Sequence, residues 1–330
     1  MKELHIADVH QGEAWKDHIW KYFDEVDKVI FHGDYFDNRQ PTEESDYKKQ
    51  LRIFNEIMDL KKSNPDKVIT LFGNHDNNYI YQTIFADEHY LEVHKALLDN
   101  IQYLDIGYKG VAGWVSSHAG FSKTWVDNYL MVAGRDSFDI DALNEAFHTF
   151  PWAEDYKTLR ERFNTLSGDL KFISMGLDFN QRGYDRYGDD KVQSPCWIRP
   201  ASLLKDAFFP KQIVGHSPYA GEKPLIAFED DNQLIMIDSY FHDGCCILSD
   251  EGPTDFIEWP RDKYTTLIKY EIENAWNIVV NNIKFSLGKA EEEKKNDTIY
   301  SDAFLKRIDD TIRPAIIEQI EEEEKEANRA

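Results

Sequence analysis

Short apolar runs at residues 4–7, 29–32 and 68–72 each end in a polar cluster. That is the pattern of buried strands whose C-terminal ends open into loops. Between the second and third runs, Leu51, Phe54, Ile57 and Met58 recur at helical spacing over residues 48–60. Strands alternating with helices need crossover connections, which predicts βαβ units and a mostly parallel sheet. Residues 111–117 add a fourth strand. From residue 121 to 195 the spacing turns helical. Leu143, Ala146, Phe147 and Phe150 share one face, and Tyr156, Leu159, Phe163 and Leu166 another, before a glycine- and aromatic-rich stretch that reads as loop. Closely spaced strands follow at residues 213–214, 225–229, 234–238, 245–248 and 255–259, expected to form an antiparallel meander in a second sheet packed on the first. Beyond residue 261, one stripe of Ile268, Ile272, Ala275, Val279, Ile283 and Leu287 precedes another of Phe304, Ile308, Ile312, Ile316 and Ile320, interrupted at Pro314. The expected organisation is a main α/β domain over residues 1–260 carrying a helical insertion at 121–195, then a helical extension over 261–330.

Composition narrows the partners. A chain of 330 residues with 42% hydrophobic positions can bury a real core, which excludes disorder for its bulk. The 61 acidic side chains outweigh 38 basic ones, for a net charge of −23. A nucleic-acid duplex would be repelled over most of such a surface, whereas a small phosphorylated ligand or a divalent cation fits it. No apolar run approaches the ~20 residues a membrane span requires. The N-terminal residues are too charged for an export signal, and Cys196, Cys245 and Cys246 cannot form a disulfide framework. A cytoplasmic protein is expected, and the C-terminal helices offer a surface for oligomerisation.

Five polar clusters sit just after predicted strands, where open α/β sheets place their ligands. They are Asp8-Val9-His10, Gly33-Asp34-Tyr35-Phe36-Asp37, Gly73-Asn74-His75-Asp76, Ser117-His118-Ala119-Gly120 and Gly215-His216-Ser217. Each supplies oxygen or nitrogen donors suited to Mn²⁺, Zn²⁺ or Fe. Asp8 and His10 are two apart, so on a strand end both face the same way and can share one ion. Taken singly, each cluster has an ordinary explanation: a chance triplet, a turn, a satisfied core histidine. Their joint occurrence in one order at strand ends points to a metal site. Gly33, Gly73 and Gly215 keep bulk away from it. Among the remaining residues, Trp114, Trp125, Trp152 and Trp197 read as core or cleft walls, and His5, His32, His89, His94 and His242 as structural or exposed. Asp76 reads as a partner for backbone amides.

Together these clusters resemble the calcineurin-like metallophosphoesterases, and within them the phosphoprotein-phosphatase-like branch that includes bacterial and phage protein phosphatases and symmetrical dinucleoside tetraphosphatases. Trp197-Ile198-Arg199 resembles that branch's W-[IV]-R segment, and Ile237-Asp238-Ser239 its closing turn. The resemblance spans about residues 3–250, without the insertion and the tail. It implies a four-layer αββα sandwich and two divalent metal ions, Mn²⁺ foremost, with Fe, Zn²⁺ or Co²⁺ as alternatives. Asp8 and His10 would hold one ion, Asp34 would bridge, and Asn74, His118 and His216 would complete the second. His75 would protonate the leaving group, oriented by Asp37, and Arg199 would grip phosphate oxygens. The implied reaction is attack of a metal-bridging hydroxide on a phosphate ester, with a phosphoprotein or small phosphorylated metabolite as substrate. Dinucleoside polyphosphate hydrolysis is the first alternative, ahead of a phosphodiesterase or a catalytically silent scaffold. Three positions depart from the family pattern: Gln11 precedes Gly12, Gly244 stands far from Ser239, and Arg39 stands one place later than the family arginine. Arg39 either takes over that arginine's phosphate contact or is a solvated loop residue.

Overall fold

In a computed structural model, two six-stranded sheets lie at the centre of the described residues, which are 1–10, 12–37, 47–80, 90–152, 166–170, 190–219, 223–239 and 244–258. Gln11, Arg39 and the helical extension predicted for 261–330 lie outside them, as does most of the second predicted helical face.

The first sheet runs β11(Gly252–Thr254)-β10(Cys245–Ser249)-β1(Lys2–Ile6)-β2(Lys28–Phe31)-β3(Val68–Leu71)-β4(Leu104–Asp105). From β1 to β4 it is parallel. Period-two alternation splits its faces. Leu4, Ile6, Val29, Phe31 and Val68 pack against α1(Trp15–Tyr22), α2(Tyr47–Ser63) and α4(Tyr90–Asn100), through Trp15, Ile53, Phe54, Ile57, Met58, Val93 and Leu97. The helix predicted over 48–60 is α2, and α3(Asn74–Ile80) opens directly from the loop after β3. On the other face, Ala7, Cys246 and Leu248 meet Ile213, Ile226 and Ile235 of the second sheet.

That second sheet runs β12(Ile257–Glu258)-β8(Leu225–Glu229)-β9(Asn232–Met236)-β7(Lys211–Val214)-β6(Val115–Ser117)-β5(Gly107–Lys109). Here the sequence expectation needs correcting. β8 and β9 form the predicted antiparallel hairpin, but β7 pairs parallel with both β6 and β9, and β12 pairs parallel with β8. β10 leaves this sheet altogether and pairs antiparallel with β1 in the first. The fourth predicted strand is also shorter, because residues 111–113 form a 3₁₀ turn before β6.

Two helices of the predicted insertion, α5(Lys123–Ala133) and α6(Ile140–Thr149), belong to the main core through Trp125, Tyr129, Leu143 and Phe147. Ser122 caps α5 by accepting from the Trp125 amide, and Gly134 ends it in a left-handed conformation. The short α7(Pro200–Lys205) follows Arg199 and lies against β8 and β9. The layers are therefore helices, sheet, sheet, helices, and the strands bearing the polar clusters end at the same edge.

Candidate metal centre

Asp8 and His10 follow β1, Asp34 and Asp37 follow β2, Asn74 and His75 open α3 after β3, His118 follows β6 and His216 follows β7. Eight of the predicted residues thus come from five strand ends in two sheets. Four of them, His10, Asp34, Asp37 and His216, hold backbone φ between 48° and 65°. Side chains other than glycine rarely adopt that region, and such strain concentrates at functional sites. Close approach explains two of the glycines. A Cβ on Gly73 would lie 2.2 Å from Asp34 Oδ1, and one on Gly215 would lie 2.2 Å from Asp8 Oδ1.

Asp34 is the hub. Its Oδ1 accepts the His75 amide at 2.8 Å. Its Oδ2 faces three imidazole nitrogens: His118 Nε2 at 3.4 Å, His10 Nε2 at 3.9 Å and His75 Nε2 at 4.0 Å. Ligand atoms of His10, Asp34 and His75 gather within 4.8 Å of one another, and so do those of Asp8, Asp34 and His118. Asp34 belongs to both groups, as a carboxylate between two ions would. Asp76, fully buried, supports the turn by accepting the amides of Asp34, Tyr35 and Gly73, each at 2.9 Å. Burial and then Asp34 push its carboxyl up to about 7, against the amides that favour its charge.

The imidazoles are oriented by backbone carbonyls. His10 Nδ1 lies 2.9 Å from the Phe36 carbonyl oxygen, His118 Nδ1 lies 2.6 Å from that of His32, and His216 Nε2 lies 3.0 Å from that of Trp197. A carbonyl only accepts, so each of these nitrogens donates and a neutral ring turns its other nitrogen, as a lone pair, into the site. His118 Nε2 and His216 Nδ1 then converge on Asn74 Oδ1, each at 2.8 Å. Two imidazole nitrogens and an amide oxygen meeting at one point are a donor set that a cation fits. Burial, Arg199 and His118 hold His216 well below the usual histidine range, hence neutral. Burial pulls His118 down as well, but the Asp34 and Asp8 carboxylates outweigh it and raise the imidazole. The donor chemistry fits divalent cations.

His75 stands at the rim, with Nδ1 2.6 Å from Asp37 Oδ2. Burial opposes its charge, yet Asp34, Asp37 and Asp76 raise it to about 9. Arg199 is half-buried and donates to the His216 carbonyl and to Ser217 Oγ, both at 3.2 Å, which anchors its guanidinium beside His216. The sequence reading passed over Tyr79, whose hydroxyl donates to Asp37 Oδ1, and Gln50, which accepts the Asp37 amide at 3.1 Å. A signal for Tyr79 was present: it follows His75 by four residues, one helical turn.

No curated protein matches the chain. Among solved structures, it is similar to a cold-active protein-tyrosine phosphatase of the psychrophile Shewanella sp., with 15% identity over 77% of this chain and 80% of that one and a TM-score of 0.47. It is also similar to a metallophosphoesterase from Sphaerobacter thermophilus, with 11% identity over 82% and 93% and a TM-score of 0.34. The family model for calcineurin-like phosphoesterases matches residues 1–236, a span that contains every described site residue. The chain belongs to the calcineurin-like phosphoesterase family.

Proposed function

We propose that this chain is a phosphatase that removes phosphate from a phosphoprotein or a small phosphorylated metabolite, using two divalent cations, Mn²⁺ foremost. Metal-dependent phosphoester hydrolysis follows from the family. The finer reading rests on one observation above the others: Asp34 is shared by two ligand groups, and its Oδ2 faces three imidazole nitrogens within 4.0 Å.

In this reading Asp8 and His10 would hold one ion and Asn74, His118 and His216 the other, with Asp34 serving both, although the ligand atoms of Asp8 gather with those of His118 and the ligand atoms of His10 with those of His75. The ions, when bound, supply an acidified water and neutralise charge on the phosphoryl oxygens. The chain's own groups do the rest. Arg199, anchored beside His216, offers its guanidinium to a phosphoryl oxygen, where a planar fork suits the geometry. Asp37 holds the Nδ1 proton of His75 and leaves Nε2 to face the departing oxygen. The raised imidazole carries its proton at neutral pH, the state a general acid needs.

Side-by-side turnover of para-nitrophenyl phosphate, phosphopeptides and a dinucleoside tetraphosphate by the Mn²⁺-loaded protein tests the reading. Release of inorganic phosphate from the first two is the expected result. Cleavage confined to the dinucleotide would replace it with a pyrophosphohydrolase, and cleavage of none would reinstate the silent scaffold.

A further inference from the structure

We propose that Tyr79 is a positioning residue for proton donation, acting through Asp37 on His75. The inference rests on the reading of His75 as the general acid. His75 and Tyr79 lie one turn apart on α3, so their side chains stand on one face of that helix. Asp37 bridges them. Its Oδ2 lies 2.6 Å from His75 Nδ1 and its Oδ1 accepts the Tyr79 hydroxyl. A third contact fixes its backbone, whose amide donates to Gln50 Oε1 at 3.1 Å and whose φ is 65°.

The arrangement matters because a carboxylate on one χ2 torsion is free to swing. With only His75 as partner, the Asp37 carboxylate would turn toward solvent and lose its in-line contact with Nδ1. The Tyr79 hydroxyl occupies the second oxygen and stops that rotation. Tyr79 is itself immobile: its ring is fully buried, 5.7 Å from the Phe36 ring, and its carbonyl oxygen lies 2.9 Å from His94 Nδ1. The chain Tyr79–Asp37–His75 therefore runs from the rigid core to the rim of the site, and its last member aims Nε2. Tyr79 touches neither substrate nor metal ligands in this scheme and is not a catalytic residue.

Proton donation is needed only when the leaving oxygen is basic. The test compares kcat for phenyl phosphate, a poor leaving group, with kcat for 2,4-dinitrophenyl phosphate, a good one, in wild type, Tyr79→Phe and His75→Ala. Loss of one charge-assisted hydrogen bond is expected to lower Tyr79→Phe turnover of phenyl phosphate about tenfold, and of the dinitrophenyl ester less than about threefold. His75→Ala should show the same selectivity more strongly. A second readout needs no turnover: in the metal-free protein the downfield NMR resonance of the His75 Nδ1 proton should move upfield in Tyr79→Phe. Equal losses on both esters, no loss on either, or an unmoved proton would overturn the proposal. Selective loss in His75→Ala without it in Tyr79→Phe defeats the role of Tyr79 alone. A wild type that cleaves neither ester defeats the phosphatase reading, and the role of Tyr79 with it.

Discussion

Two polar clusters share the end of β2, yet they are built on different principles. The first is the site at the strand ends. The second is a chain buried between the sheets: Glu3, His5 and His32, all fully enclosed. Within it the side chains bond to one another and to the backbone. Glu3 Oε1 accepts from the Tyr108 hydroxyl at 3.0 Å and the Val111 amide at 3.1 Å, and Oε2 faces His5 Nε2 at 3.4 Å. His5 Nδ1 lies 3.1 Å from His32 Nε2, and His32 Nδ1 donates to the Ser117 carbonyl at 3.2 Å. Burial and its imidazole neighbours hold His32 well below the usual range, so it accepts from His5 and donates to Ser117. At the strand ends, by contrast, two imidazole nitrogens converge on Asn74 Oδ1, and the Asp8 carboxylate crowds Asp34. The interior chain ties strands of the two sheets together, whereas the side chains at the strand ends gather ligand atoms around points where a cation fits. The two clusters touch where His118 Nδ1 donates to the His32 carbonyl, so the interior one steadies a residue of the site.

Substitution should separate them. Asp34→Asn is expected to lower metal-dependent turnover by about three orders of magnitude or more, since a shared cation site supplies several kcal/mol of transition-state stabilisation. The thermal midpoint of the metal-free protein should not fall, because a crowded charge is removed. Glu3→Gln should do the reverse. Removing the charged acceptor of the Tyr108 hydroxyl and the Val111 amide costs about 1.5–3 kcal/mol in urea unfolding, while the number of ions bound stays the same. Burial opposes the Glu3 charge, but its hydrogen bonds hold its carboxyl below the usual value of 4.5. Its contribution is therefore present above that pH and fades as pH falls through the folded value, so wild type and variant should converge in acid. A smaller effect is expected from Gly215→Ala, whose methyl would press on Asp8 Oδ1. Metal affinity should drop about tenfold, as when a ligand's support is disturbed; an unchanged titration would show that Asp8 is no ligand. The mildest change is in His75. Followed by NMR in the metal-free protein, it should titrate near 9, and added divalent cations should lower that value by offsetting Asp34. The sign follows: its raised value stabilises the metal-free fold most below about 6.5, and that contribution is lost as pH rises through 9.

The contrast between the clusters also marks what could be read from the sequence. The donors at the strand ends were legible because each stands immediately after an apolar run, and a polar cluster in that place has few structural uses. Strand positions were legible for the same reason. Sheet membership was not: residues 245–249 alternate as any strand does, and nothing in that alternation records that β1, at the other end of the chain, is their partner. The interior chain was legible only as far as His5 and His32 being structural or exposed, and Glu3 drew no reading. Glu3 and His5 occupy the polar phase of an alternating strand, which points to solvent unless a second sheet covers that face. Tyr79 was missed because the loop after β3 was read for its donors rather than for the helix it opens.

The most direct test of the account is the metal stoichiometry of the chelator-stripped protein, titrated calorimetrically with Mn²⁺ beside Asp34→Asn, with hydrolysis of para-nitrophenyl phosphate followed in the same samples. The account predicts two ions per wild-type chain, activity that rises with their uptake, and loss of both the stoichiometry and the activity in the variant. Hydrolysis that survives chelation, or an Asp34→Asn chain that still takes up two ions and turns over normally, would contradict it.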